Sequence, residues 1–252
     1  MSQAPEIIVY SDPEALALGA ARLFREIAGD SSSARGVFRV ALSGGTTPAA
    51  LYRLLGTEEF AEGIDWSGVE IFWGDERCVP PDDRQSNYGS ASTTLLGKVA
   101  IPASNIHRIK GELGERGAAE YEEEIVSAFA LEEGGVPLFD CMLLGMGEDG
   151  HTASLFPGTG VVCEERRNVA AVAPKQGETA RITLTPPVIN SARHLLFIVS
   201  GRNKAVTLRE VLEGDYRPDQ FPAQITRLSQ GRVRWLIDRE AATELRRQPA
   251  MP

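Results

Sequence analysis

Short, almost uninterrupted apolar runs recur along this chain, each followed by a stretch with helical spacing, and that alternation narrows the fold more than any other feature. The runs cover residues 7–10, 37–42, 69–73, 139–144, 181–184, 194–199 and 233–237. A strand that is apolar on both sides is covered on both faces, which requires crossover helices and gives parallel neighbours. The pattern therefore predicts an α/β fold: a mostly parallel, doubly wound sheet with helices on both faces. Helical stretches are expected at residues 118–131 and 204–212, and after Ser11-Asp12-Pro13-Glu14, a capping box with Ser11 as the cap and Glu14 reaching back. The first helix is expected to stop near Gly29, before the break Ser31-Ser32-Ser33. With no internal repeat or linker, a single domain over residues 1–252 is expected, with residues 246–252 as a frayed tail.

Bulk properties exclude several functions. At 252 residues, 42% hydrophobic and 24% charged, the chain has the composition of an ordinary globular protein. No apolar run approaches the ~18 residues of a membrane span, and the N-terminal residues lack the basic and apolar parts of a secretory signal. A cytoplasmic protein is expected, with no membrane partner. The net charge of −9 opposes attraction to nucleic acid, which needs a basic surface. A sugar-phosphate-sensing transcription factor would also need a DNA-binding module, and none is legible. Cys78, Cys141 and Cys163 are widely spaced, and His107, His151 and His194 show no ligand spacing with them, so neither a disulfide framework nor a metal site is expected.

In an open α/β sheet, ligands bind beyond the carboxyl ends of the strands, where strand order reverses. Three loops of unusual composition follow strands here. Ser43-Gly44-Gly45-Thr46-Thr47-Pro48 enters a helix, with Thr47 as a natural cap and Pro48 suited to the first turn. Its glycines allow close backbone approach, and the helix start can hold a phosphate; an ordinary strand-to-helix turn would look similar. Gly74-Asp75-Glu76-Arg77 reads as a loop carrying two carboxylates and a guanidinium able to fork onto a phosphate or pair locally. Gly145-Met146-Gly147-Glu148-Asp149-Gly150-His151 bends tightly around a histidine, and an imidazole with an ordinary pKa of ~6.5 can take a proton from water at neutral pH. Asp149 could orient it. Lys204, at a helix start, lies at the unfavourable end for a cation and points to a partner anion; Arg181 opens a strand and is a weaker candidate on pattern alone.

These segments resemble the 6-phosphogluconolactonase family, a branch of the group that also holds the glucosamine-6-phosphate deaminases. Besides the three loops, the resemblance rests on Val79-Pro80, Ser86-Asn87, Asn105-Ile106-His107-Arg108-Ile109, Arg181-Ile182-Thr183-Leu184, Gly201 and Lys204. The long block from Leu144 through Gly150-His151-Thr152-Ala153-Ser154-Leu155-Phe156-Pro157-Gly158 is its most specific part. The resemblance implies a NagB-like fold, no metal and no organic cofactor. It implies His151 as general base, with Asp149 and Asp75 near the reacting sugar. It also implies a phosphate held by Ser43, Gly44, Gly45 and Thr46 with Arg77, Arg181 and Lys204. The partner is then a small sugar phosphate lactone, and the expected assembly a monomer or weak homo-oligomer. The deaminase branch is similar to a pattern with a carboxylate five residues after the histidine; here that position is Phe156, which cannot shuttle a proton.

Overall fold

The structure, a computed structural model, describes residues 4–173 and 178–246. Strands are β1 (Glu6–Tyr10), β2 (Phe38–Leu42), β3 (Val69–Trp73), β4 (Asp75–Arg77), β5 (Cys141–Leu144), β6 (Val169–Val172), β7 (Arg181–Leu184), β8 (His194–Val199) and β9 (Arg232–Asp238). Helices are α1 (Pro13–Arg35), α2 (Thr46–Leu55), α3 (Glu58–Ala61), α4 (Asn87–Thr94), α5 (Glu115–Ala128), α6 (Pro186–Ser191) and α7 (Ala205–Glu213).

A six-stranded, wholly parallel sheet runs in the order β1-β9-β8-β5-β2-β3. Its central strands are buried almost end to end: Cys141, Met142, Leu143 and Leu144 of β5 are at most 1% exposed, which is why they read as continuous apolar runs. Side chains alternate between faces along a strand, so Phe38 and Val40 point one way and Arg39 and Ala41 the other. Phe24 of α1 packs edge-on against Phe38. On the opposite face Phe129, just beyond α5, packs on Phe72 and Phe139, and the Arg39 guanidinium lies over its ring while pairing with Glu70. Both faces are thus covered, as the alternation of runs and helices predicts. His107 belongs to this core: it stacks on Phe72 and bonds Glu124.

Several local expectations are corrected. Asp12, not Ser11, caps α1, its carboxylate accepting the Ala15 N–H. The helix also runs through Gly29 and the three serines to Arg35, ending on left-handed Gly36. A helical glycine costs only about 1 kcal/mol, and the buried face containing Phe24, Ile27, Ala28 and Ser31 outweighs it. In the segment 74–77, expected to be a loop, Asp75–Arg77 form a strand. At Gly74 the chain leaves the parallel sheet, and β4 pairs antiparallel with β7, which pairs with β6; of this second sheet only β7 had a signature in the sequence. Of the tail expected to fray, residues 247–252 lie outside the described residues, while the Arg246 N–H donates to Glu213.

Two buried tyrosines finish strands next to the cleft. Where the β2 ladder has ended, the Tyr52 hydroxyl accepts the Ser43 N–H at 3.0 Å and donates to its carbonyl at 2.6 Å. Tyr121 does the same for Trp73 on edge strand β3. A phenol that both donates and accepts replaces a missing strand at these points. Tyr52→Phe strands two buried backbone groups, each costing ~1–3 kcal/mol. We expect the urea midpoint to fall with an unchanged slope, corresponding to a loss of roughly 2–4 kcal/mol; an unmoved midpoint would show that Ser43 does not need the clamp.

Candidate active site

Strand order reverses between β2 and β5: β3 lies outward of β2, whereas β8, β9 and β1 follow on the far side of β5. The loops after β2 and β5 therefore part at this point and open a crevice. A cavity of about 280 Å³ fills it, lined by Ser43, Gly44, Gly45, Asp75, Arg77, Asn87, Gly145, Met146, Gly147, His151, Ala153, Ser154, Phe156, Arg181 and Lys204. The three loops and two isolated cations singled out in the sequence thus meet in one place. Two candidates do not line it. Thr46 is the first residue of α2, and Asp149 stands behind His151.

His151 is held on several sides. Its Nδ1 lies 2.6 Å from Asp149 Oδ1, which also accepts the His151 backbone N–H at 3.1 Å. Burial would raise the Asp149 carboxyl, but the hydrogen bond and charge of His151 more than offset it, bringing the pKa to about 2. An ionised carboxylate can only accept, so Nδ1 carries the proton shared with it and Nε2 is the ring nitrogen left to act as a base. The Phe156 ring packs against the imidazole, centroids 4.7 Å apart. Gly147 makes room for it: a Cβ at that position would sit 2.1 Å from His151 Nδ1. The glycine loop consumes its own donors, however. The Gly147 N–H bonds the His151 carbonyl and the Gly150 N–H the Gly147 carbonyl, so neither is free for substrate.

Asp75 enters from β4 and is nearly buried, at 8% exposed. Ser154 Oγ donates to one of its oxygens at 2.7 Å and Asn87 Nδ2 approaches the other at 3.2 Å. Asn87 is itself placed by Glu76, whose carboxylate accepts from the N–H groups of Arg77, Asn87 and Tyr88 and from Ser86 Oγ. Burial pushes the Glu76 carboxyl up, against the pull of those N–H donors. Ser154 and Asn87 stood inside recognisable segments, but nothing in their spacing announced that they would fix Asp75. Only the antiparallel β4–β7 pairing brings them together.

The cations are unusually placed. Arg77 and Arg181 face one another across the β4–β7 ladder, where like charges repel. Arg77 bonds the Gln85 carbonyl and Arg181 that of Thr179, and among the described residues neither forms an ion pair. Burial and the adjacent Arg77 charge pull the Arg181 guanidinium below its ordinary range. Arg77 Nε and Ser43 Oγ are buried without a hydrogen-bond partner among the described residues. Lys204, which precedes α7 as its cap residue, also has no carboxylate partner among the described residues. Contrary to expectation, Gly45 rather than Thr47 caps α2, and without a side-chain hydrogen bond; among the described residues the N–H groups of Gly44, Gly45, Thr46 and Thr47 have no hydrogen-bond partner. An acidic chain therefore concentrates unpaired donors at a single cleft.

The sheet order, the switch-point cleft and the Asp149–His151 pair define an α/β enzyme with a NagB-like fold. A monomeric glucosamine-6-phosphate deaminase of the NagB superfamily superposes with a TM-score of 0.78 over 95% of this chain and 99% of its own, at 24% identity, and shares the fold. The family model for glucosamine-6-phosphate isomerases/6-phosphogluconolactonase matches residues 11–235, and the chain belongs to that family. A 6-phosphogluconolactonase from Synechocystis is 40% identical over 214 residues, 84% of this chain and 86% of the relative. The 6-phosphogluconolactonase of Trypanosoma brucei superposes with a TM-score of 0.86 over 97% of this chain and all of that one, at 30% identity. These relatives place the chain among the lactone hydrolases of the family. Among the described residues no helix is long and apolar enough to cross a membrane.

Proposed function

We propose that this enzyme hydrolyses the 1,5-lactone of 6-phosphogluconate to the open acid, with His151 as the general base. The observation that carries the chemistry is the Asp149–His151 geometry, which leaves Nε2 as an acceptor in a cleft lined by unpaired cations. Arg77, Arg181, Lys204, Ser43 and the N–H groups of Gly44 and Gly45 hold the phosphate, a charge that relieves the repulsion between the two guanidiniums. Asp75, kept rigid by Ser154 and Asn87, accepts from a sugar hydroxyl. His151 Nε2 takes a proton from water as its oxygen bonds to the lactone carbonyl carbon. The tetrahedral intermediate then collapses with cleavage of the bond to the ring oxygen, which receives the proton from Nε2. His151 is restored, and one water has been added across the ester bond.

Phe156 favours this reading over the deaminase reaction, since a phenyl ring packed on His151 offers no carboxylate for a second proton transfer. The phosphate assignment is tested by Arg181→Ala. A charge-assisted hydrogen bond contributes ~1.5–3 kcal/mol, so KM for the phosphorylated lactone should rise roughly 10–100-fold with kcat nearly kept. Hydrolysis of unphosphorylated glucono-1,5-lactone should be unaffected. Equal damage to both substrates would remove Arg181 from phosphate binding.

A further inference from the structure

Asp238 is a buried carboxylate with no part in the chemistry above. It ends β9 outside the cleft and is 1% exposed. Its oxygens are filled by neutral donors: Ser200 Oγ at 2.5 Å, the Gly201 N–H at 3.1 Å to both oxygens, and the Ala241 N–H at 2.8 Å. Among the described residues no cation pairs with it. Burying a carboxylate without a counterion is costly, and two of its three donors lie in the turn that follows β8.

That turn leads directly to the cleft. Gly201 adopts φ +100°, a conformation side chains rarely take, and opens the 3-10 turn Arg202–Lys204. Its carbonyl accepts the Lys204 N–H at 3.1 Å. On its other side the turn is tied to the histidine loop, with Asn203 Nδ2 donating to Glu148 Oε1 and Thr207 Oγ1 to the Glu148 carbonyl, each at 2.6 Å. We infer that Asp238 is a positioning residue: by holding the Ser200-Gly201 turn it fixes where Lys204 meets the substrate phosphate, without touching substrate itself. This rests on the phosphate-binding role proposed for Lys204.

Asp238→Asn tests it, because an amide turns an N–H group toward donors that the carboxylate accepts. KM for the phosphorylated lactone should rise about tenfold, less than a ~1 Å misplacement can cost, with kcat and the hydrolysis of unphosphorylated glucono-1,5-lactone retained. Hydrogen exchange at the Gly201 amide should accelerate. In a Lys204→Ala background the KM effect of Asp238→Asn should vanish. Ser200→Ala removes one donor with less risk to folding; it should act in the same direction and carries the test if the Asp238→Asn variant does not fold. Undiminished Gly201 protection together with unchanged KM would overturn the inference, as would an equal KM rise with and without Lys204. If Lys204→Ala alone leaves KM unchanged, the phosphate role of Lys204 falls, while Gly201 exchange still reports on the Asp238 tie.

Discussion

Replacing His151 with alanine is expected to lower kcat for 6-phosphogluconolactone by about 10²–10⁴-fold, the usual contribution of a positioned general base, and to leave KM nearly unchanged. The separation follows from the geometry. The residues proposed to hold the phosphate sit on β4, on β7, on the loop after β2 and at the start of α7, so removal of the imidazole should spare binding. Nor should the fold suffer, because the ring is about one-third exposed and packs against Phe156 rather than within the main core. Steady-state kinetics on freshly prepared lactone, with the spontaneous rate subtracted, read this directly. A kcat close to that of the wild type would take His151 out of the reaction.

Asp149→Asn should be nearly as damaging, with kcat down ~10²–10⁴-fold. The carboxylate does two things that an amide cannot. It admits only the tautomer with the proton on Nδ1, and in the proposed mechanism its charge stabilises the imidazolium formed when water is deprotonated. The side-chain amide introduced by this substitution can present its own N–H₂ to Nδ1 and so place the ring proton on Nε2, where the base is needed. The acid side follows from the depressed pKa. Since folding lowers the Asp149 carboxyl to about 2, its contribution to stability is present above its ordinary value of ~3.9 and lost as pH falls from there toward 2. Wild-type and Asp149→Asn proteins should therefore lose their stability difference in acid denaturation over that window. A constant difference across it would mean that the pair does not set the carboxyl pKa.

Much of this was legible in the sequence because the strongest local signals agree with the fold. Six of the seven apolar runs became strands of the parallel sheet, the run at 181–184 becoming antiparallel β7, and the loops after β2 and β5 had to meet at the switch point. His151, Asp75, Arg77, Arg181 and Lys204 were each visible as polar residues at strand ends or helix starts. What escaped the sequence depends on long-range pairing. Residues 74–77 carry the polar composition of a loop, and only the ladder of Asp75–Arg77 with β7 makes a strand there. β6 has two alanines among its four residues and no alternation to announce it. Ser154 reaches Asp75 across 79 positions of sequence, and Asp238 reaches Gly201 across 37. No spacing rule links such residues before the chain is folded. The misplaced ends of α1 have a different origin: Gly29 and three serines weaken a helix locally, and tertiary burial overrode them.

The most direct measurement of the central claim supplies freshly made 6-phosphoglucono-1,5-lactone to the purified enzyme and follows acid release against an enzyme-free control. Glucosamine 6-phosphate runs in parallel with ammonia as the readout. Lactone hydrolysis far above the spontaneous rate, with no ammonia formed, is the predicted result. Ammonia release without enhanced lactone hydrolysis would contradict the account and return the cleft to the deaminase reaction that Phe156 argues against.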